Sequence, residues 1–310
     1  MRVAIVGAGG LGALYGGLLA RAGAGVTFTA RGANLEALRT RGLTVRLDGA
    51  PEFHIEARAT SDPREVGPVD LIWCCVKAYD VEPAMGMALP MVGPETMIIP
   101  IQNGIDSPDR IAAITGPRAA LGGVGRAGGT LVEPGVVVQK GRRNVVVFGE
   151  LAGGLSPRVE ALAAALKGTG IEAEASPNVR GVMWDKFISF SGQSGPSAIT
   201  RLPLGPLRAL PETRALMLGI MAEVQALAQA KGIDVPPGAA ERVVQGTSVG
   251  GGSYPSTYFD LMEGRRLELD AIYGTTLRLG AELGIPTPLN SAMYALLKPY
   301  EHGTPQPAAP

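Results

Sequence analysis

Gly7, Ala8, Gly9, Gly10, Leu11 and Gly12 form a Gly-x-Gly-x-x-Gly run near the start of the chain. Glycines at this spacing serve three ends. Gly7 admits a tight turn, Gly9 lets backbone come up against a pyrophosphate, and Gly12 lets a helix pack closely on a strand. The helix that opens there offers free N–H groups and the positive end of its dipole to an anion. An apolar strand, 3–6, runs into these glycines and an Ala- and Leu-rich helical stretch, 11–22, runs out of them. That context favours a dinucleotide-binding turn over a bare glycine-rich connection. In such folds an acid about 20 residues further on binds the ribose 2′-hydroxyl of NAD. Here the second strand, 25–30, leads to Arg31 instead. A guanidinium suits a 2′-phosphate through paired N–H donors, so the reading is NADP(H); the alternative is an ordinary exposed loop arginine.

Two more polar groups stand just past apolar strands. Lys77 follows 70–76, and Asn103, in Gln102-Asn103-Gly104, follows 97–101. Open α/β sheets bind ligands at the carboxyl ends of their strands. Lys77 could meet a phosphate or a carboxylate, and Asn103 could bridge cofactor and substrate. Plain turn chemistry is the competing account, since Asn-Gly is a common turn pair. Further along, Lys186 lies in the apolar run 182–188. Apolar surroundings penalise a charged ammonium and help it give up a proton, although a lysine there can equally bury its stem and extend its head to water. Glu268 opens a predicted helix, 267–283, where a carboxylate also complements the helix dipole. Ser256, after Tyr254-Pro255, can bind a ligand or serve as a helix N-cap.

These residues need a scaffold, and the first half of the chain supplies strand–helix alternation. Predicted strands are 3–6, 25–30, 43–47, 70–76, 97–101 and 171–175, with helices at 11–22, 34–41 and 157–168. A hairpin is expected from 136–139 and 144–148, with 141–143 at its turn. The runs 70–76 and 97–101 are continuously apolar, as strands covered on both faces are. The fold class is therefore α/β: an N-terminal Rossmann-type, doubly wound, mostly parallel sheet with a C-terminal all-helical domain. Helical periodicity takes over near 178, with candidates at 207–231 (broken at Pro211), 238–245, 267–283 and 289–300. The domains are expected at 1–178 and 179–301, followed by a mobile proline-rich tail, 302–310. Apolar stretches such as 216–227 and 277–283 leave a core reading and a homodimer reading open.

Composition excludes several classes. Lys plus Arg (28) balances Asp plus Glu (28), which argues against a nucleic acid or an anionic membrane as partner. Hydrophobic residues at 46% and charged residues at 18% support a sizeable core. Cys74 and Cys75 are adjacent and point to opposite faces of a strand, so no disulfide joins them. With His54 and His302 the only histidines, neither a zinc site nor a Ser-His-Asp triad is expected. The N-terminus lacks a signal-peptide layout, and no apolar run is long enough for a membrane span, so a cytoplasmic protein is expected.

Taken in order, the glycine turn, Arg31, Val76-Lys77, Gln102-Asn103-Gly104, Trp184-Asp185-Lys186-Phe187, Ser256 and Leu267-Glu268-Leu269-Asp270 resemble the ketopantoate reductase (2-dehydropantoate 2-reductase) family over roughly residues 1–300. The resemblance implies NADPH-dependent reduction of a small-molecule 2-oxo acid to a 2-hydroxy acid, in pantothenate synthesis if the substrate is ketopantoate. By position, Lys186 resembles the proton donor, and Glu268 the acid of the catalytic and cofactor network. Asn103 resembles the residue touching both cofactor and substrate, Ser256 a substrate-binding serine, and Lys77 a lysine near the cofactor. Gly128 matches a backbone contact to NADP.

The chain departs from the family where ketopantoate-reducing members carry asparagines four and eight residues after the lysine. Phe190 and Ser194 stand there, and Leu204 replaces a third asparagine. Loss of amides makes a pocket more apolar and alters which substrate is accepted. Three readings follow: a ketopantoate reductase, a relative acting on a more apolar carbonyl compound, and a non-catalytic NADP(H) sensor. Retention of Lys186 and Glu268 weighs against the last.

Overall fold

A computed structural model describes residues 1–246 and 250–304. The chain divides into two compact units, one comprising 1–102 and 107–179, the other 103–106 and 180–310.

In the first unit, β1 (Arg2–Val6), α1 (Gly10–Arg21), β2 (Gly25–Thr29), α2 (Gly32–Arg41), β3 (Leu43–Arg46), β4 (Phe53–Ile55), β5 (Arg58–Thr60) and β6 (Val69–Cys74) follow one another. Then come α3 (Val81–Ala88), β7 (Val92–Pro100), α4 (Ser107–Thr115), β8 (Leu121–Glu133), β9 (Val136–Glu150), α5 (Pro157–Leu166) and β10 (Glu172–Ala175). Among the described residues, one five-stranded sheet has the order β5-β2-β1-β6-β7, parallel throughout. Succession runs outward from β1 in one direction through β2 and β5, then restarts on its other side with β6. The switch point, where such sheets bind ligands, therefore lies between β1 and β6. Val3 and Ile5 enter one buried cluster while Ala4 and Val6 enter another, because alternate residues point to opposite faces of a sheet covered on both sides. Cys74 and Cys75 divide the same way and are both free thiols. Burial pushes the Cys74 thiol up to about 12 and raises that of Cys75 as well, so neither is a ready nucleophile.

A second sheet has the order β10-β9-β3-β4, with β8 antiparallel to β9. It corrects the expected hairpin. Residues 136–150 are one continuous strand, and the reversal lies between β8 and β9, where Gly135 has φ +81°. Gly141, φ +79°, carries the turn signal without a turn, in an exposed stretch of β9.

The second unit is helical: α6 (Val179–Thr200), whose first residue falls in the other unit, then α7 (Leu204–Ala209), α8 (Pro211–Ala230), α9 (Ala239–Gln245), α10 (Ser256–Met262), α11 (Thr275–Leu283) and α12 (Pro288–Leu297). A π-helical turn, Asp270–Gly274, leads into α11. Pro211 sits at the first position of α8, where its missing N–H costs nothing, and so separates α8 from α7. The helix expected from 267 begins at Leu269, leaving Glu268 just outside it. Among the described residues, no helix is long and apolar enough to cross a membrane. Of the expected tail, 305–310 lies outside the described residues; Gly303 and Thr304 close onto Gly264.

Candidate active site

The glycine turn is built by steric exclusion. Gly7 has φ +96°, a region that favours glycine. A Cβ on Gly12 would lie 2.1 Å from the Gly7 carbonyl oxygen, so only glycine lets α1 leave β1 at this angle. A Cβ on Gly10 would lie 2.1 Å from the carbonyl oxygen of Gly129 on β8. At Gly9 a Cβ would meet nothing within 4 Å. Gly9 has ordinary extended angles (φ −78°, ψ −162°), so backbone conformation does not demand glycine there. The open ground above Gly9 is a cradle that a side chain would begin to fill. The first N–H groups of α1 have no intrahelical acceptor. Tight packing beneath and open space above Gly9 fit a dinucleotide pyrophosphate.

Side chains away from the motif hold the turn. The Thr29 hydroxyl donates to the Ile5 carbonyl at 3.2 Å and accepts from Gly7 N–H at 3.4 Å. Asn34 donates to the Ala8 carbonyl at 2.8 Å and accepts from Gly135 N–H at 2.9 Å, tying the turn to the β8–β9 reversal. Arg31, exposed, is the N-cap residue of α2 at the carboxyl end of β2. Gly128 faces Lys140 across the sheet, where a Cβ would lie 2.5 Å from the Lys140 carbonyl oxygen. Its neighbour Gly129 is the residue that abuts Gly10: a Cβ on Gly129 would lie 2.6 Å from the Gly10 carbonyl oxygen.

On the far side of the switch point, Lys77 is half-buried and precedes a 3-10 turn, Ala78–Asp80. Gln102 joins the ends of β6 and β7: its amide donates to the carbonyls of Cys74 and Val76, each at 2.9 Å. Its Oε1 is buried without a protein partner, an acceptor available at the carboxyl end of β7.

In the helical unit, Asn103 Nδ2 donates to Glu268 Oε2 at 3.4 Å. Gly104, φ +102°, packs its backbone against Ala271 in the π-helical turn, where a Cβ would lie 2.7 Å from the carbonyl oxygen. Glu268 is buried, whereas Ser256 is exposed as the first residue of α10; Pro255, not Ser256, is the N-cap residue. Lys186 lies on α6, half-buried, with Ser189 and Phe190 at i+3 and i+4 on the same partly accessible face. Its neighbour Asp185 pairs with Arg242.

Ser194 is fully buried, and its hydroxyl bonds to the Tyr273 phenol at 3.0 Å within the helical unit. Leu204 is also buried, at the start of α7. Of the three departures from the family, Phe190 alone keeps accessible surface beside Lys186. Among the described residues, no three His, Cys, Asp or Glu side chains cluster as metal ligands.

The family description "Ketopantoate reductase PanE/ApbA" matches residues 3–153, and "Ketopantoate reductase PanE/ApbA C terminal" matches 178–301. The chain belongs to this family. The 2-dehydropantoate 2-reductase of Pyrococcus horikoshii is 30% identical over 301 residues, spanning 97% of this chain and 98% of its own. The crystal structure of 2-dehydropantoate 2-reductase from Geobacter metallireducens matches with a TM-score of 0.89 at 32% identity, over 96% of this chain and 99% of its own. A ternary structure of D-mandelate dehydrogenase with NADH and anilino(oxo)acetate shares the fold, with a TM-score of 0.88 at 24% identity over 97% and 98% of the two chains.

As a ketopantoate reductase family member, the protein is an oxidoreductase acting on CH–OH groups. Thr29, Asn34, Gln102 and Gly129 brace its strand ends, and sequence reading assigned a role to none of them. Their signals were weak because each acts through backbone contacts with segments that only the fold brings together.

Proposed function

We propose that this protein reduces a 2-oxo acid to the 2-hydroxy acid with NADPH, ketopantoate being the leading substrate. The observation that carries the reading is the Asn103–Glu268 hydrogen bond, which joins two family site residues far apart in sequence. Membership of the family supports the reaction class, and the fit of the glycine turn supports a dinucleotide. Arg31, standing where an NAD-binding fold places an acid, supports the 2′-phosphate of NADP.

Bound cofactor supplies the hydride. The chain's own residues bind, orient and move the proton. Gly7, Ala8, Gly9, Gly10, Leu11 and Gly12 present backbone N–H groups to the pyrophosphate, with Arg31 and Lys77 adding positive charge. Asn103 orients cofactor and substrate, its amide fixed by Glu268. Ser256 offers a hydroxyl to the substrate. Lys186 Nζ donates the proton to the carbonyl oxygen as alkoxide charge develops there. The enzyme is proposed to be cytoplasmic and homodimeric, with light scattering of the purified chain as the check on assembly.

Phe190 favours a second reading, in which the carbonyl compound is more apolar than ketopantoate. An aromatic ring one helical turn from the proposed proton donor replaces an amide and disfavours a polar substrate group there. The test is NADPH oxidation with ketopantoate beside a panel of 2-oxo acids and simple ketones, NADH serving as control. Highest kcat/KM on ketopantoate supports the first reading, and inertness of ketopantoate with turnover of another carbonyl supports the second. NADPH binding without turnover of any compound leaves the sensor reading in place of both.

A further inference from the structure

Tyr273 lies in the π-helical turn that follows Glu268, and its ring is wholly buried. Its hydroxyl accepts from Gly195 N–H at 2.7 Å and donates to the Ser191 carbonyl at 2.8 Å. Ser191 and Gly195 are the i and i+4 positions of one rung of α6. The phenol therefore bridges a rung of the helix that carries Lys186. The Ser194 hydroxyl, at 3.0 Å, gives its proton to the same oxygen, because the phenol's single proton is committed to Ser191. All the hydrogen-bonding capacity of the phenol is used.

The sequence around the rung is shaped to admit it. A Cβ on Gly195 would lie 2.4 Å from the phenol oxygen. Pro196, inside α6, can donate no backbone hydrogen bond, so the helix is weakened at this point. Side chains inserted into such a ladder, and π turns, are recognised causes and signs of a deliberate local distortion. Burial raises the phenol from its ordinary value to about 12.

The π turn also meets the other site segments. Ala271 supports the backbone at Gly104, next to Asn103, and Asp270 accepts from the Tyr294 hydroxyl on α12 at 2.8 Å. Lys186 lies five residues before Ser191, and Glu268 five before Tyr273. One turn thus holds the segments bearing Asn103, Lys186 and Glu268.

We propose that Tyr273 is a positioning residue that fixes Lys186 relative to Glu268 and Asn103 by bridging the Ser191–Gly195 rung of α6. This rests on the proposed 2-oxo acid reduction. Removing the hydroxyl leaves the rung free to close or open, and either shift moves Lys186. Displacements of an ångström can cost about 100-fold in rate.

The experiment uses the full chain with Tyr273→Phe, the milder Ser194→Ala, and Glu223→Gln as a stability control. Glu223 accepts from Leu289 N–H and Asn290 N–H at the start of α12, away from the residues assigned to the reaction. Tyr273→Phe is expected to lower kcat about 10–100-fold, with KM for NADPH within about twofold and the basic limb of the kcat/KM pH profile displaced. Ser194→Ala should show the same change in smaller degree. Glu223→Gln should lower Tm yet keep kcat and the pH profile. Wild-type kcat and profile in Tyr273→Phe, with only Tm lowered, overturns the proposal. Amide hydrogen exchange judges the coupling without turnover: faster exchange around Lys186 in Tyr273→Phe but not in Glu223→Gln supports it, and equal exchange overturns it. Failure of the wild-type protein to reduce any 2-oxo acid counts against the proposed reaction alone, with the exchange result still deciding the role of Tyr273.

Discussion

The Asn103 amide donates to the Glu268 carboxylate at 3.4 Å across 165 positions of sequence. The bond fixes which face of the amide is presented, since an ionised carboxylate accepts only from the NH2 end. Asn103→Ala and Glu268→Ala should each lower kcat/KM about 10–100-fold, the range for loss of one hydrogen bond to a charged group at about 1.5–3 kcal/mol. In the double variant the losses should be less than additive, because both remove the same interaction. Steady-state kinetics of the four proteins provides the check, and strictly additive losses would place the two residues in separate roles.

Gly9 and Gly10 are neighbours with opposite constraints. Gly10→Ala drives a methyl group into the Gly129 carbonyl and should destabilise the fold by roughly 1–3 kcal/mol, seen as a lower Tm. Gly9→Ala has room in the protein and suitable backbone angles, so Tm should hold while the dissociation constant for NADPH rises. Thermal melts and fluorescence titration of both variants separate the effects. Unchanged NADPH affinity in Gly9→Ala would remove the pyrophosphate from that ground.

Much of this half of the site was legible because its physics is local. A strand, glycines at fixed spacing and a helix specify the turn within 22 residues, and the polar residues after β6 and β7 mark strand ends directly. Other features depend on partners remote in sequence. Gly122, Gly123, Gly125, Gly128 and Gly129 give β8 little strand propensity. Four of them, Gly123, Gly125, Gly128 and Gly129, stand where Pro100, Ile101, Lys140 and Gly10 crowd the strand from different sides. Gly141 signalled a turn, and it lies instead where the β8–β9 register shifts, between the pairs Gly128–Lys140 and Arg126–Val145. On α6, Gly192, Gly195 and Pro196 read as helix breakers, yet Met221 and Tyr273 occupy the space the glycines leave. Ser194 entered through the resemblance, and its burial against Tyr273 depends on a partner 79 positions away in sequence. The roles of Lys186 and Glu268 came from the resemblance, since a lone lysine or glutamate carries no signal of its own.

Arg31 should govern cofactor choice. Arg31→Ala removes the paired donors proposed for the 2′-phosphate and should raise KM for NADPH about 10–100-fold while leaving NADH kinetics nearly unchanged. The ratio of kcat/KM for the two cofactors measures this directly. Equal loss with both cofactors would remove the 2′-phosphate from Arg31.

Acid sensitivity should trace in part to the start of α5. Glu150 accepts from Arg158 Nε at 2.8 Å and Nη2 at 2.6 Å, and from the Ser156 hydroxyl, joining the end of β9 to α5. The Arg158 guanidinium foremost holds the Glu150 carboxyl below the usual glutamate range, against a smaller opposing effect of burial. A carboxyl held low contributes stability that is present above its unfolded value and lost as pH falls through its folded value. Glu150→Gln should cost about 1–2 kcal/mol at pH 7, with the gap from wild type narrowing below about pH 4. Thermal melts at both pH values test this, and a gap that widens on acidification would contradict it.

The central claim is that NADPH reduces a 2-oxo acid with Lys186 as proton donor. Its most direct test is the loss of reduced-nicotinamide absorbance with wild type and Lys186→Ala side by side, on ketopantoate and the wider panel, with NADPH binding measured in parallel. The account predicts turnover of at least one 2-oxo acid by wild type, and a loss of roughly 100-fold or more in Lys186→Ala with NADPH still bound. Undiminished turnover in Lys186→Ala would contradict it.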